Sequence, residues 1–160
     1  MASAAPSLKG RALRLLSQRE HSRAELERKL ARHEEEPGTL ARALDELAAK
    51  DFISETRVVA SVLHQRAARS GALKVKQELQ AKGIAPEAIA QAVATLQDTE
   101  LERAVALWRR RFDTLPADAK ERARQMRFLL ARGFSGAVAA KVLRGGFEDD
   151  EAADGAGADA

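Results

Sequence analysis

Slid against itself by 49 residues, the chain meets its own apolar pattern, and a sequence repeating at such a period builds its core from small stacked units. Leu13 falls on Val62, Leu26 on Val75, Leu30 on Leu79, Leu40 on Ile89, Leu44 on Val93 and Leu47 on Leu96. Six of the eight large apolar residues between positions 12 and 47 thus meet another, where chance gives about two, because such residues make up only a quarter of the chain. Pro37 lands on Pro86. A second shift is weaker: Phe52 falls on Leu101, Val59 on Trp108, Leu63 on Phe112, Ile89 on Val138, and Leu79 meets Leu129 after one slipped residue. Three diverged units follow, at 8–50, 51–97 and 98–144, with a tail at 145–160.

Each unit reads as three helices. In the first, Leu13 and Leu16 share a face of an opening helix. Ser22-Arg-Ala-Glu25 has the form of a capping box that starts the next. Leu26 and Leu30 lie four apart, and Leu40, Leu44 and Leu47 form an i, i+4, i+7 stripe after the Pro37-Gly38 turn. The second unit repeats this with Val58, Val59, Val62 and Leu63, then Val75 and Leu79. Lys82-Gly83 serves as a left-handed stop and Pro86 as a first helical residue. In the third, Leu101, Val105, Trp108 and Phe112 line one helix, Pro116 opens another, Arg132-Gly133 closes it, and Val138, Val142 and Leu143 belong to the last. Alternating strand-like runs are absent. The expected fold is all-α: nine short helices as three tandem three-helix repeats in an elongated, curved array, followed by a disordered acidic C-terminal tail.

Composition narrows the function. With no cysteine among 160 residues, disulfides, thiolate metal sites and a cysteine nucleophile are excluded. No apolar run reaches membrane-spanning length and the N-terminus lacks a signal-peptide core, so a cytoplasmic protein without membrane contact is expected. His21, His33 and His64 have no second ligand at helical spacing, and no phosphate-binding glycine loop or nucleophile elbow occurs. No catalytic residue, metal or cofactor is expected. The net charge of +3 conceals an asymmetry, because six acids lie beyond the last cation, Arg144; residues 1–147 set 27 cations against 18 acids. A basic body with an acidic tail suits a polyanionic or acidic partner, and the tail is expected to compete for the same faces.

Two groups of cations stand out. Arg57, Arg66, Arg69, Lys74, Lys76 and Lys82 fall on two helices of the middle unit, expected to pack side by side. Arg109, Arg110 and Arg111 point away from the Leu101–Phe112 stripe. Such runs are read either as solvated helix faces or as contacts to DNA phosphate or an acidic protein surface; phosphate contact is sequence-independent and salt-sensitive. Trp108 belongs with the core face, base stacking being the lesser reading.

Four strings carry a resemblance. Ala12 through Leu26, continuing to Lys29-Leu30, resembles the opening of RecX proteins. Leu44-Asp-Glu-Leu47 with Asp51-Phe-Ile53 and Arg57 is similar to their second block, Lys76-Gln-Glu-Leu79 with Lys82-Gly-Ile84 to their central helix end, and Arg127-Phe-Leu129 with Arg132-Gly-Phe134 to the C-terminal block. The likeness covers about residues 11–143, in the right order. Departures are Lys50-Asp51 where the family favours glycine, Val58 in place of an aromatic, and His33-Glu34 where later units carry Lys82-Gly83 and Arg132-Gly133. The resemblance implies a non-enzymatic monomer that binds the RecA recombinase filament on single-stranded DNA and inhibits its ATPase, extension and strand exchange; weak direct DNA binding by the basic faces is expected beside it. Arg132 joins the partner-binding candidates. An independent helical DNA-binding protein, or a helical scaffold for another partner, is the alternative.

Overall fold

The computed structural model describes residues 4–147. Their regular structure is nine α-helices and one 3-10 turn, without a strand: α1 (Leu8–Gln18), α2 (Arg23–Leu30), a 3-10 turn (Ala31–His33), α3 (Thr39–Ala49), α4 (Glu55–Arg66), α5 (Ala72–Ala81), α6 (Pro86–Gln97), α7 (Glu100–Arg111), α8 (Ala119–Ala131) and α9 (Gly136–Leu143). The all-helical expectation holds. Of the expected tail, residues 148–160 lie outside the described residues. Gly145–Phe147 do not trail away: Phe147 packs on the core beside Trp108, ring centroids 5.8 Å apart.

The helices start where short polar side chains satisfy orphan N–H groups. Ser7 accepts from Gly10, Ser135 from Val138, and Ser22 with Glu25 forms the reciprocal capping box. Helix α6 begins on Pro86 as expected, but α8 does not begin at Pro116. Asp118 caps it by accepting from the Glu121 N–H at 2.8 Å, and that bond sets the start three residues later.

Four helix ends share one closure. After α5, α8 and α9 a glycine adopts positive φ (Gly83 69°, Gly133 87°, Gly145 72°) and the next N–H reaches back to the third-last helical carbonyl. The bonds are Ile84 to Leu79 at 3.1 Å, Phe134 to Leu129 at 3.3 Å and Gly146 to Lys141 at 3.1 Å. In the first two, the residue past the glycine is apolar and buried against the helix it closes. After α3 the same motif is made by Asp51, at φ 63°, with Phe52 N–H donating to the Leu47 carbonyl. Asp thus does a glycine's work at this turn. Helix α2, with His33-Glu34 in place of a glycine pair, tightens into the 3-10 turn instead.

The described residues divide into two compact units, one of residues up to 62 with 78–89 and one of 63–77 with those from 90 onward, so that α4, α5 and α6 each contribute to both. In the first, α1, α2 and α3 pack mutually around Ala12, Leu26, Leu30, Leu40, Leu44 and Leu47. The fully buried residue of α1 is Ala12, with Leu13 and Leu16 only partly covered. A small side chain there lets α1 approach closely. In the second, α9 packs on α7 and α8 around Trp108, Leu129, Phe134, Ala139 and Val142. Trp108 is core, and its indole N–H donates to Gln125 Oε1 at 2.8 Å. Burying such a ring with its polar handle satisfied is favourable by roughly 2–3 kcal/mol.

Candidate functional site

Two backbone approaches position the basic residues of the second unit. The Gly71 N–H donates to the Arg132 carbonyl at 2.8 Å and the Leu73 N–H to the Gly133 carbonyl at 3.2 Å, tying the start of α5 to the α8–α9 turn. Neither glycine tolerates a side chain: a Cβ on Gly71 would lie 2.4 Å from the Gly133 oxygen, and one on Gly133 would lie 2.4 Å from Lys74 Cβ. Arg103 locks the same region from α7, donating to the carbonyls of Ser70 (2.6 Å), Ala67 (2.9 Å) and Leu96 (2.9 Å). Burial lowers its pKa while Glu100 opposes. With Nε donating to Thr99 Oγ1 at 3.2 Å as well, one planar five-donor group serves four acceptors there, which an ammonium does not reproduce.

On this frame the last turn of α7 and the end of α8 form an open groove, with Leu107 and Phe128 as its apolar part and Arg110, Arg111 and Arg132 as its cations. Arg132 lies over the Phe128 ring, 5.1 Å from its centroid, and Phe128 meets Phe112 edge-on at 5.3 Å. Arg110 and Arg111 are exposed, and among the described residues neither has a carboxylate within ion-pair distance. Three cations and a ring at one groove suit a flat anionic surface: guanidiniums hold phosphate or carboxylate with paired N–H bonds while the apolar part is desolvated. Arg109 parts from its neighbours and stacks over Phe147 at 5.0 Å.

The middle-unit candidates distribute over both compact units. Arg57 and Lys82 lie in the first and are engaged within the chain. Arg57 Nε donates to Glu20 at 3.0 Å and its Nη1 to Asp51 at 3.0 Å, while Lys82 Nζ donates to Glu25 Oε1 at 2.7 Å. Arg66, Arg69, Lys74 and Lys76 lie in the second and are exposed.

Glu25 gathers more than its cap. Its Oε2 accepts from the Ser22 N–H (2.9 Å) and Arg19 Nη1 (3.3 Å), and its Oε1 from Lys82 and Arg19 Nη2 (3.3 Å). Burial raises its pKa, yet Lys82, Arg19 and the Ser22 N–H outweigh that and hold it at about 2. Beside it His21 is 1% exposed, with Nδ1 at 3.0 Å from the Arg19 carbonyl and Nε2 at 3.2 Å from Lys29 Nζ. These contacts assign the neutral Nδ1–H tautomer. Burial, followed by Arg19 and Lys29, pushes its pKa down against the Arg19 carbonyl hydrogen bond. Sequence reasoning placed His21 in a turn and missed its burial, since a lone histidine between helices gives no periodic signal.

A fold of short capped helices with cations displayed on its helix ends defines a helical-repeat protein that presents basic surfaces. No three His, Cys, Asp or Glu side chains among the described residues converge as a metal site, and no described helix is long and apolar enough to cross a membrane. Comparison specifies the family. Models of the first, second and third three-helix domains of RecX match residues 9–47, 54–93 and 98–143. A protein of Leptothrix cholodnii named Regulatory protein RecX is 56% identical over 146 residues, 90% of this chain and 93% of its own. Its namesake in Ralstonia nicotianae is 48% identical over 139 residues, 87% of each chain. The crystal structure of RecX from Lactobacillus salivarius superposes with a TM-score of 0.72 at 20% identity, covering 86% of this chain and 92% of that one, a likeness of fold. The chain belongs to the RecX family of regulatory proteins.

Proposed function

We propose that this chain regulates recombination and DNA repair in the cytoplasm by binding the RecA filament on single-stranded DNA, inhibiting its ATPase, its extension and strand exchange without catalysing a reaction itself. Family membership supports the partner, and the observation that carries the contact is the groove of Arg110, Arg111 and Arg132, whose guanidiniums have no carboxylate partner among the described residues. Inhibition by binding needs only a difference in affinity between states. A protein whose separate domains each touch a different protomer binds assembled filament better than free subunits, and so holds the filament in the state it recognises. Arg69, Lys74 and Lys76, exposed on the same unit, extend the cationic surface that this reading offers the partner.

The test is RecA ATPase and strand exchange titrated with the purified chain and with an Arg110→Glu, Arg111→Glu variant. Inhibition by the wild type at substoichiometric ratios is expected, with the variant requiring about tenfold more protein, equivalent to ~1.4 kcal/mol of contact. Full RecA activity in the presence of excess wild-type chain refutes the reading. Tight duplex binding in the absence of RecA, with preference among sequences, would favour the independent DNA-binding alternative.

A further inference from the structure

The first unit contains a second cationic site that its sequence did not advertise. An open cleft of about 620 Å³ runs between α1 and the α2–3-10 segment, and among the described residues Arg11, Arg14, Arg28, Lys29, Arg32 and His33 line it without a single acid. Charge is not spread evenly over this unit. Of its twelve Lys and Arg residues, Lys9, Arg19, Arg23, Arg57 and Lys82 are ion-paired, and five of the other seven face this one cleft.

The cleft cations are held by neutral acceptors. Arg11 Nε donates to the Pro6 carbonyl at 3.2 Å, Arg28 Nη2 to the Ala81 carbonyl at 2.9 Å, Lys29 Nζ to neutral His21 at 3.2 Å and Arg32 Nε to His33 Nε2 at 3.3 Å. A carboxylate partner orients a cation and cancels its charge. A carbonyl or imidazole orients it, leaves the charge standing, and leaves the other N–H donors directed elsewhere. Four cations are thereby fixed around one opening at the cost of mutual repulsion, which an incoming polyanion relieves. No Phe, Tyr or Trp lines the cleft, so its cations outweigh its one imidazole ring as contacts and favour phosphate over bases.

We propose that this cleft binds the phosphodiester backbone of a nucleic-acid strand, independently of base sequence and of RecA. It is a site separate from the Arg110–Arg111–Arg132 groove. Its failure leaves the filament reading standing, because the two are read in different assays.

The experiment measures full-length chain binding a labelled oligothymidylate of roughly 20 nucleotides by fluorescence anisotropy across a salt series without RecA, for wild type and an Arg14→Gln, Arg32→Gln variant. Loss of two phosphate contacts lowers the slope of log affinity against log salt by about 1.4, at ~0.7 per contact for a single strand, and weakens binding at least tenfold at low salt. Arg14→Gln alone, which removes no side-chain hydrogen bond of the fold among the described residues, gives about half that change in slope. A structural readout accompanies it. Desolvation, then Arg11 and Arg32, hold the His33 imidazole below its ordinary pKa, so an anion seated in the cleft raises it, observable in the His33 ring proton signals. Unchanged slope and affinity in both variants overturn the proposal. So does displacement of the oligonucleotide by pyrophosphate at equal phosphate concentration, which marks a small-anion site, or equal binding of polyglutamate, which marks a site for acidic protein.

Discussion

Replacing Glu25 by glutamine tests whether this carboxylate, more than its helix cap, holds the first unit together. The charge accepts four hydrogen bonds while its side chain is only 10% exposed. The pKa falls from 4.5 to about 2, and since each pH unit corresponds to about 1.4 kcal/mol, the ionised form contributes roughly 3 kcal/mol to the folded state. The sign follows from the direction. A depressed folded pKa means that the unfolded chain binds the proton first, so the contribution is complete above about pH 4.5 and disappears as pH falls towards 2. Glutamine is nearly isosteric but presents an N–H₂ to an environment of donors, and it leaves Lys82, 16% exposed, without a counter-charge.

Urea unfolding followed by circular dichroism therefore separates Glu25→Gln from wild type by roughly 2–3 kcal/mol at neutral pH, narrowing to under about 1 kcal/mol near pH 2.5. Protonation of His21 below its ordinary range destabilises both proteins, because its folded pKa is also depressed, and it cancels from the difference to first order. A gap of constant size across that range would show that the carboxylate's charge is not what stabilises the fold. A gap below about 0.5 kcal/mol at neutral pH would show that the cage of donors contributes nothing net.

Three further substitutions read the turns. Gly71→Ala forces a Cβ to within 2.4 Å of the Gly133 carbonyl oxygen, where only backbone can yield; it destabilises by at least about 2 kcal/mol in chemical denaturation. Asp51→Gly relieves a residue at φ 63° and forfeits an exposed pair with Arg57, so Tm rises by an amount equivalent to about 0.5 kcal/mol, whereas Asp51→Ala lowers it. Arg103→Lys keeps the charge but cannot serve the Ala67, Ser70 and Leu96 carbonyls together, and costs roughly 2 kcal/mol with faster amide exchange at residues 67–72.

What was legible in the sequence was what periodicity encodes. Large apolar residues three and four apart give the helices, and Ser22 with Glu25, or glycines at 83 and 133, mark helix ends because caps are local chemistry. Counting large side chains alone hid Ala12, Ala104 and Ala139, each fully buried in a core cluster. Nor does spacing reveal partners brought together by packing. Lys82 meets Glu25 across 57 positions, so Lys82 is committed to the fold although it reads as a surface cation. Arg11 and Arg14 meet Arg28 and Arg32 only because α1 packs on α2, and Arg110 and Arg111 are joined by Arg132 from a different helix. Asp51 shows the opposite case, a sequence departure that the backbone absorbs in the same left-handed conformation.

A carboxylate partner marks charge that the fold uses, whereas an exposed cation without one keeps its charge for binding; buried Arg103, held by carbonyls, is structural all the same. In the second unit every phenylalanine has a guanidinium over its ring: Arg124 over Phe112, Arg132 over Phe128, Arg103 over Phe134 and Arg109 over Phe147, at 5.0–6.0 Å. In the first unit the cleft cations rest on carbonyls and imidazoles. A ring, a carbonyl and an imidazole all orient a cation without cancelling it, at a cost far below that of leaving it unplaced. Arg57, Lys82 and Arg23, tied to carboxylates, form the opposite class, and their loss reduces stability before it reduces affinity. Charge reversal therefore divides the two classes. At Arg14, Arg32, Arg110 or Arg111 it weakens polyanion or filament binding with an unchanged unfolding midpoint, whereas at Lys82 it shifts the midpoint at any partner concentration. A set of reversals that failed to sort this way would mean that lacking a carboxylate partner does not mark a cation used for binding.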